Sequence, residues 1–300
     1  MQTTSIGRAQ RTAPRPRPRP SSFKKRLRDW KMLPVHLFLL VGGFFWIYPF
    51  LWMLGSSVKT TKDFFDRGLN ILPGEVAWDN YIRAWNDGNF GQYFINTIVV
   101  SICVVFLVIL VTAMAGYSLS RTTFPGKGLV LGLIALTLFL PHGYTIIPIF
   151  DLITQLGLLN TLGSVIIVET AGGVVFSTFL FMGYFSSIAK EIEDAARVDG
   201  ASFHQRFWMI MLPLSGPIIA TVALMTFIGS WNNFFVPLVF TLGVPELRTL
   251  AVGMFAFVGQ NTIDWTSLAA GSVITLAPII LVFVLLQRYF INGVAGAVKS

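Results

Sequence analysis

Charge and cysteine are both scarce in this 300-residue chain. Charged residues make up 12% of the sequence and hydrophobic residues 54%, whereas an ordinary soluble domain is roughly 25% charged. A soluble protein of this composition could not cover its surface with polar groups, so lipid is the expected solvent for most of the chain. The single cysteine, Cys103, lies in an apolar run, which excludes an internal disulfide and a cysteine-based zinc site.

Motifs for nucleotide and metal chemistry are also missing. The segment FPGKG at 124–128 has a lysine after a glycine, but it lacks the earlier glycine and the following hydroxyl of a phosphate-binding loop. The histidines His36, His142 and His204 form no pair at helical spacing. We therefore expect a non-catalytic chain that binds no metal or cofactor itself.

The sequence has long apolar runs instead. Six of them have about 20 residues or more, the length that a helix needs to cross the hydrocarbon core of a bilayer. They cover about 34–57, 92–120, 129–150, 162–185, 213–241 and 267–291. Pro141 and Pro148 should break or kink the third run. The predicted fold is all-α, a polytopic membrane protein with six transmembrane helices.

The basic residues predict an orientation. If the N-terminus is inside, 17 of the 22 Lys and Arg fall in inside segments, ten of them within residues 1–31. Because inside loops of membrane proteins are rich in Lys and Arg, both termini are predicted to be cytoplasmic. Residues 1–32 are expected to be a disordered basic, Pro/Arg-rich tail at the anionic membrane face, with a Pro-rich ligand role as the alternative. This distribution points to membrane lipid and not to nucleic acid.

The longest outside loop, about 58–91, carries Trp78, Tyr81 and Trp85 among mixed charges. One interpretation is an aromatic belt with a short amphipathic helix at the membrane interface. The other is part of a docking surface for an external protein. Composition does not decide between them.

Three polar residues stand inside the apolar runs. Glu169 is the acidic residue of the fourth run and lies about two helical turns from its start. A charged group at that depth should face the bundle interior, a partner or water. Asn232 and Asn233 follow Trp231 in the fifth run. All three are candidate substrate-pathway residues. The alternative is a structural hydrogen bond for Glu169, and helix bridging for the amides.

The stretch EIEDAARVDGAS at 191–202 is the most polar part of the second half of the chain. Its apolar residues recur at helical spacing and Gly200 follows them, as at a left-handed helix end. A short helix is predicted over 189–199, with a second helix after it and Pro213 at the turn into the next span. Alanines at its centre would permit close approach to another surface, and its acids suit a basic partner. A solvated connecting helix is the alternative.

The same region resembles a known family. EIEDAARVDGASFHQRFWMIMLP looks like the cytoplasmic "EAA" loop of bacterial ABC-importer permeases, with Asp194 where the family usually has glutamate. LQRYFINGVAGAVKS at the C-terminus, PELRTLAVGMFAF at 245–257 and WNNFFVPLVF at 231–240 resemble the carbohydrate-uptake branch, related to the smaller membrane subunit of the maltose transporter.

This resemblance, which covers about 33–300, implies a transmembrane domain with its coupling loop at 186–213. The chain would be a permease subunit in a bacterial inner membrane, paired with a second homologous permease subunit. A cytoplasmic ATPase dimer would bind ATP and Mg, and an extracytoplasmic solute-binding protein would deliver a sugar or oligosaccharide. A coupling helix at 189–200 would transmit ATPase closure to the spans. The residues expected to couple are Glu193, Asp194, Ala195, Ala196, Arg197, Asp199, Gly200 and Ala201.

Two other classes fit the sequence less well. A stand-alone transporter or channel should show inverted repeats and several intramembrane ionisable residues, but this chain has no evident repeat and only Glu169. A membrane-embedded enzyme would need a cluster of metal ligands or a nucleophile near one interface, and the sequence offers none.

Overall fold

The computed structural model describes residues 32–140, 145–258 and 263–297. These residues are helical apart from loops and one isolated antiparallel bridge between Val258 and Ile263. The α-helices, numbered in chain order, are α1 (Leu33–Ser56), α2 (Thr61–Asp66), α3 (Asp79–Asn86), α4 (Phe90–Arg121), α5 (Lys127–Thr137), α6 (Ile146–Gln155), α7 (Leu162–Ser187), α8 (Lys190–Val198), α9 (Phe203–Arg206), α10 (Leu212–Leu214), α11 (Gly216–Trp231), α12 (Phe235–Phe240), α13 (Leu250–Gly253) and α14 (Trp265–Ala297). The predicted basic tail, except residue 32, and the predicted kink at Pro141 lie outside the described residues.

Four of the predicted spans are single long apolar helices. They are α1, α4, α7 and the Trp265–Gln287 part of α14, each long and apolar enough to cross a membrane. A fifth candidate is a bent pair, in which Phe203–Leu214 and Gly216–Trp231 meet at 75°. The described residues therefore contain four or five candidate spans, and the all-α membrane fold is confirmed.

The predicted third span is interrupted. It resolves into α5 and α6, with 11 and 10 residues, which correspond to about 15 Å each at 1.5 Å per residue. Neither helix alone reaches across about 30 Å of hydrocarbon. Pro148 is the third residue of α6, where its missing N–H costs no intrahelical bond. The proline therefore sits at the start of a new helix and not in the middle of one span.

The predicted fifth span is also bent and broken. Pro213 and Pro217 lie on either side of Ser215, which separates α10 from α11. Ser215 is buried, and its hydroxyl donates to the carbonyl of Met211 at 2.6 Å. Because prolines remove backbone donors and a serine back-bond bends a helix, the chain turns here. A second break at residues 232–234 separates α11 from α12.

The chain divides after Leu51 into two compact units. In the first unit, the described part of α1 has no buried residue, and its large apolar side chains such as Phe38 and Trp46 are exposed. The core lies in the second unit, where α4 packs along α7 and α11. Val100, Val104 and Val108 form one buried stripe on α4 because residues four apart share a helix face.

Gly116 allows a close approach of α4 to α7. A Cβ built on Gly116 would lie 2.6 Å from the Cβ of Phe181 and 2.8 Å from the backbone nitrogen of Met182. Only glycine allows the two helices to pack at this distance. By contrast, a Cβ on Gly172 of α7 would meet nothing within 4 Å.

These two glycines give a matched test of the packing. Gly116→Ala should destabilise the protein by about 1–3 kcal/mol, since the added methyl group overpacks the helix contact. Gly172→Ala should be neutral or stabilising by about 0.5–1 kcal/mol, because alanine favours the helix. Thermal unfolding of the detergent-solubilised variants measures both. Equal melting temperatures would contradict the close approach at Gly116.

Candidate functional site

The polar stretch folds as predicted, into a short helix with a glycine turn after it. Helix α8 ends with Asp199 as its C-cap, and Gly200 adopts φ +85°. The amide of Ala201 donates to the carbonyl of Ala196 at 2.9 Å, which closes the helix end. Glycine reaches this left-handed conformation without a steric penalty. The predicted helix and its cap are confirmed.

A capping box starts the next helix immediately. The Ser202 hydroxyl accepts from the amide of Gln205 at 3.3 Å, and the Gln205 side chain accepts from the amide of Ser202 at 2.8 Å. Sequence reasoning missed this signal, although serine followed three residues later by glutamine is its usual form. The turn between α8 and α9 is therefore specified on both sides.

Glu193 is the one acid of α8 that faces the interior of the chain. Its Oε2 lies 3.0 Å from Arg121 Nε, an ion pair whose N–H is not aligned for a hydrogen bond. Its Oε1 accepts from Tyr117 Oη at 2.5 Å and from Arg206 Nε at 3.4 Å. All four side chains are buried. We call these four residues the Glu193 cluster.

Both arginines of the Glu193 cluster also bind the backbone on either side of α8. Arg121 Nη2 donates to the carbonyl of Ile188 at 2.7 Å, just before the helix, and Arg206 Nη1 donates to that of Ala201 at 2.6 Å, just after it. A helix of nine residues is too short to be stable by itself in water. The two arginines and Glu193 therefore hold α8 at its start, its first turn and its end.

Aromatic rings keep the Glu193 cluster dry. The ring of Tyr117 packs against Phe203 at 4.8 Å, Phe207 at 5.3 Å and Phe185 at 5.6 Å between centroids. Electrostatic attraction is stronger where water is excluded, and an unpaired charge there is correspondingly costly. Arg121 is also in the last turn of α4, where the helix dipole favours a cation.

The outward face of α8 is formed by other residues of the predicted set. Asp194, Ala195, Arg197 and Asp199 are exposed, and Val198 is 89% exposed. Glu193 and Ala196, three residues apart, point inward together. The helical period places both against their own chain, so the surface left for a partner is formed by the other residues of the predicted set. The coupling assignments of the whole set stay predictions.

Glu169, in α7, joins that helix to α11. Ser230 Oγ donates to Glu169 Oε2 at 2.5 Å, and both side chains are buried. Glu169 Oε1 has no hydrogen-bond partner among the described residues. The structural bond foreseen as the alternative is present, and the second oxygen is buried without a partner among the described residues. Ser230 was not singled out from the sequence, since a lone serine in an apolar run carries little signal.

Asn232 and Asn233 bond within their own segment. Asn232 is exposed, and its amide donates to the carbonyl of Ile228 at 2.9 Å. The side-chain oxygen of Asn233 accepts from the amide of Val236 at 3.3 Å, at the start of α12. The two asparagines therefore cap the break between α11 and α12, and the structure gives them no bond to Glu169.

Several long apolar helices, with one short polar helix held at the end of α4, define a multi-pass membrane protein. Residues 109–296 match the model of the family described as "Binding-protein-dependent transport system inner membrane component". The chain belongs to this family and is a membrane permease of an ABC importer in a bacterial inner membrane.

Several curated proteins resemble it along most of their length. The probable ABC transporter permease protein YurM of Bacillus subtilis is 37% identical over 84% of each chain. The diacetylchitobiose uptake system permease protein NgcG of Streptomyces coelicolor is 33% identical over 88% of this chain and 86% of its own. The arabinooligosaccharides transport system permease protein AraQ of Halalkalibacterium halodurans is 33% identical over 90% of this chain and 99% of its own.

A solved structure has the same fold. The crystal structure of a bacterial ABC transporter involved in the import of the acidic polysaccharide alginate contains a chain that matches with a TM-score of 0.75. The match covers 91% of this chain and 100% of that chain, at 24% identity. At this identity the match supports the arrangement of helices alone.

Two neighbouring acids allow a matched test of the Glu193 cluster. Glu193→Gln should destabilise the protein by about 3 kcal/mol, because two buried guanidinium groups lose their counter-charge. Asp194→Asn, on the exposed face, should change stability by about 0.5 kcal/mol or less. Thermal unfolding of the two variants in the same detergent provides the comparison. If both variants unfold at the same temperature as the wild type, the cluster does not stabilise α8.

Proposed function

We propose that this permease imports a sugar or oligosaccharide delivered by an external solute-binding protein. The observation that carries this proposal is the set of relatives. Those similar over at least 84% of this chain include uptake permeases for diacetylchitobiose, for arabinooligosaccharides and for melibiose, raffinose and stachyose. One further relative is a permease for osmoprotective compounds. Because the other three names specify saccharides, a sugar or oligosaccharide is the substrate class we favour.

The proposed assembly contains a second, homologous permease subunit and a pair of cytoplasmic ATPases that hold ATP and Mg. Six spans with both termini in the cytoplasm agree with the distribution of Lys and Arg along the sequence. In this orientation α8 lies on the ATPase side. ATP hydrolysis then occurs on the partner ATPases. This chain converts their movement into a switch of its spans between inward-open and outward-open states.

The outward face of α8 is the surface proposed to enter a cleft of one ATPase. Ala195 permits close approach, and Asp194 with Asp199 offers negative charge to a basic cleft. Val198 adds an apolar side chain that is nearly free of contacts within this chain. A face that combines one apolar residue, one small residue and charges around them is suited to a protein partner.

The Glu193 cluster gives the coupling step its mechanical basis. Arg121 is the last residue of α4, and Arg206 is in the arm Phe203–Leu214 that turns by 75° into α11. Because Glu193 and the flanking carbonyls bind both arginines, a displacement of α8 moves the end of α4 and this arm with it. Force applied to α8 is thereby delivered to two of the helices that line the core.

A charge placed on the outward face tests this coupling. In the assembled transporter, Ala195→Asp should lower uptake at least tenfold and abolish stimulation of ATP hydrolysis by the loaded binding protein, since a buried unpaired carboxylate opposes docking. Thr123→Asp, exposed in the segment after α4, is the control and should retain uptake. Uptake measured in proteoliposomes at the wild-type rate for Ala195→Asp would contradict the assignment.

Glu169, Asn232 and Asn233 are proposed to face the substrate pathway. The support is the unpartnered Oε1 of Glu169 and the exposed side chain of Asn232 beside a helix break. A carboxylate accepts hydrogen bonds from hydroxyl groups, which a sugar supplies in number. Irregular backbone at membrane depth is tolerated where it lines a cavity, and the break at residues 232–234 fits such a place.

Substitutions of the two residues of the Glu169–Ser230 bond distinguish a pathway role of Glu169 from a structural role. Glu169→Gln should lower uptake at least tenfold with little change in melting temperature. Ser230→Ala should cost about 1 kcal/mol of stability while uptake continues. Uptake and thermal unfolding of the assembled variants decide the question. If the Glu169→Gln variant takes up substrate normally, the only role of Glu169 is to join α7 to α11.

A further inference from the structure

Helix α3, at the end of α4 opposite the Glu193 cluster, carries an exposed apolar stripe. Trp78 at its N-cap is 66% exposed, Ile82 58% and Trp85 46%. These residues are spaced by four and three positions, so they lie on one face of the helix. No coupling or pathway role described above involves them.

The opposite face of α3 is fixed to the rest of the protein. Asn80 is buried, and its amide donates to the carbonyls of Ser57 at 2.9 Å and Lys59 at 2.8 Å. Arg83 donates to Ser267 Oγ at 3.2 Å, and Ala84 is fully buried. The helix therefore cannot rotate to hide the stripe.

A charged group reinforces this anchorage. Arg83 Nε lies 3.6 Å from Asp264 Oδ2, just before α14 begins. Burial acts to raise the pKa of Asp264, but hydrogen bonds from Ser267 and Thr266 and the charge of Arg83 outweigh it and hold the pKa below its ordinary value. The carboxylate is therefore ionised at neutral pH and keeps its contact with Arg83.

The anchors place α3 at the boundary of the apolar spans. Ser57 directly follows α1, Ser267 is the third residue of α14, and α4 begins at Phe90, four residues after α3 ends. A helix tied to the ends of three apolar helices lies at the level where hydrocarbon gives way to water. Tryptophan is enriched at that level in membrane proteins because its ring is apolar with one polar N–H.

The stripe continues onto the surface of α4. A Cβ built on Gly91 would lie 3.5 Å from Trp85 Nε1, so this ring covers the first turn of α4. On the same face of α4 follow Ile95, Val99 and Ile102, at intervals of four, four and three residues, and all three are exposed. The apolar surface thus runs without a charge from α3 along a membrane span.

The other edge of the exposed face is polar. Asp79 and Asn86 are exposed, and a step of 100° per residue puts both about a quarter turn from Trp78. Across the helix, the exposed surface changes from tryptophan and isoleucine to carboxylate and amide. This gradient is what a helix in the plane of a membrane surface requires.

We infer that the Trp78, Ile82 and Trp85 stripe is a lipid contact, and that α3 lies in the headgroup layer with this stripe toward the acyl chains and with Asp79 and Asn86 toward water. The continuity with the apolar surface of α4 and the polar edge favour lipid over an external protein. Lipid therefore holds the α3 end of the span bundle at a fixed depth, independently of what the permease transports.

Spin labels on two exposed residues of α3 test the depth. In a Cys103→Ser background, Ile82→Cys and its control Asn86→Cys would be labelled in the assembled transporter in phospholipid nanodiscs. The label at position 82 should collide at least threefold more with oxygen, relative to a water-soluble nickel chelate, than the label at position 86. If the nickel chelate reaches the labels at positions 82 and 86 equally, the stripe lies in water. Protection of position 82 from both reagents would place a protein on it, and either outcome overturns the inference.

A second measurement needs no label on α3. Phospholipids brominated near the headgroup should quench tryptophan emission more in the wild-type transporter than in a Trp78→Phe/Trp85→Phe variant, because Trp78 and Trp85 lie within reach of that bromine. Bromine near the chain ends should quench the two proteins to a similar extent. If the headgroup-side bromine also quenches both equally, the two rings do not contact lipid.

Discussion

One buried carboxylate holds the polar end of this permease together. Glu193 is bound by Arg121 and Arg206 in a setting closed off by the ring of Tyr117. Two guanidinium groups without a counter-charge would be costly in such an environment. The cluster therefore makes α8, the end of α4 and the arm before α11 one mechanical unit, which is the condition for a short surface helix to transmit force.

Helix α4 connects this unit with the other end of the molecule. Its 32 residues extend for about 48 Å, from Phe90 beside α3 to Arg121 in the Glu193 cluster. Along this length it packs on α7, where Gly116 allows a close approach. One long helix thus joins the Glu193 cluster, at one end, to α3 with its exposed tryptophans at the other.

The division of labour among the acids of α8 follows from the helical period. Glu193 and Asp194 are neighbours in sequence, yet successive side chains on a helix point about 100° apart. One acid is thus used for internal anchorage and the other is exposed. Asp194, which stands where the resembling loops usually have glutamate, is the exposed one, so the shorter side chain does not alter the anchorage.

Much of the fold could be predicted from the sequence because its signals are local. The lengths of apolar runs set four long helices, Gly200 supplied a left-handed turn, and the polar stretch at 191–202 indicated both a surface helix and a family. The interruptions that begin at residues 138 and 232 were harder to predict, since total hydrophobicity does not reveal where a helix stops.

Only the tertiary structure decided which side chains meet. Tyr117 and Glu193 are 76 residues apart in the chain, and Glu169 and Ser230 are 61 apart. No periodicity in the sequence connects such pairs, because the contact depends on how two helices pack and which faces they turn to each other. The sequence by itself determined that most of the chain lies in lipid, where its long helices run and which family it belongs to. Packing decided that Glu193 faces inward, that Asp194 faces outward and that the tryptophans of α3 stay exposed.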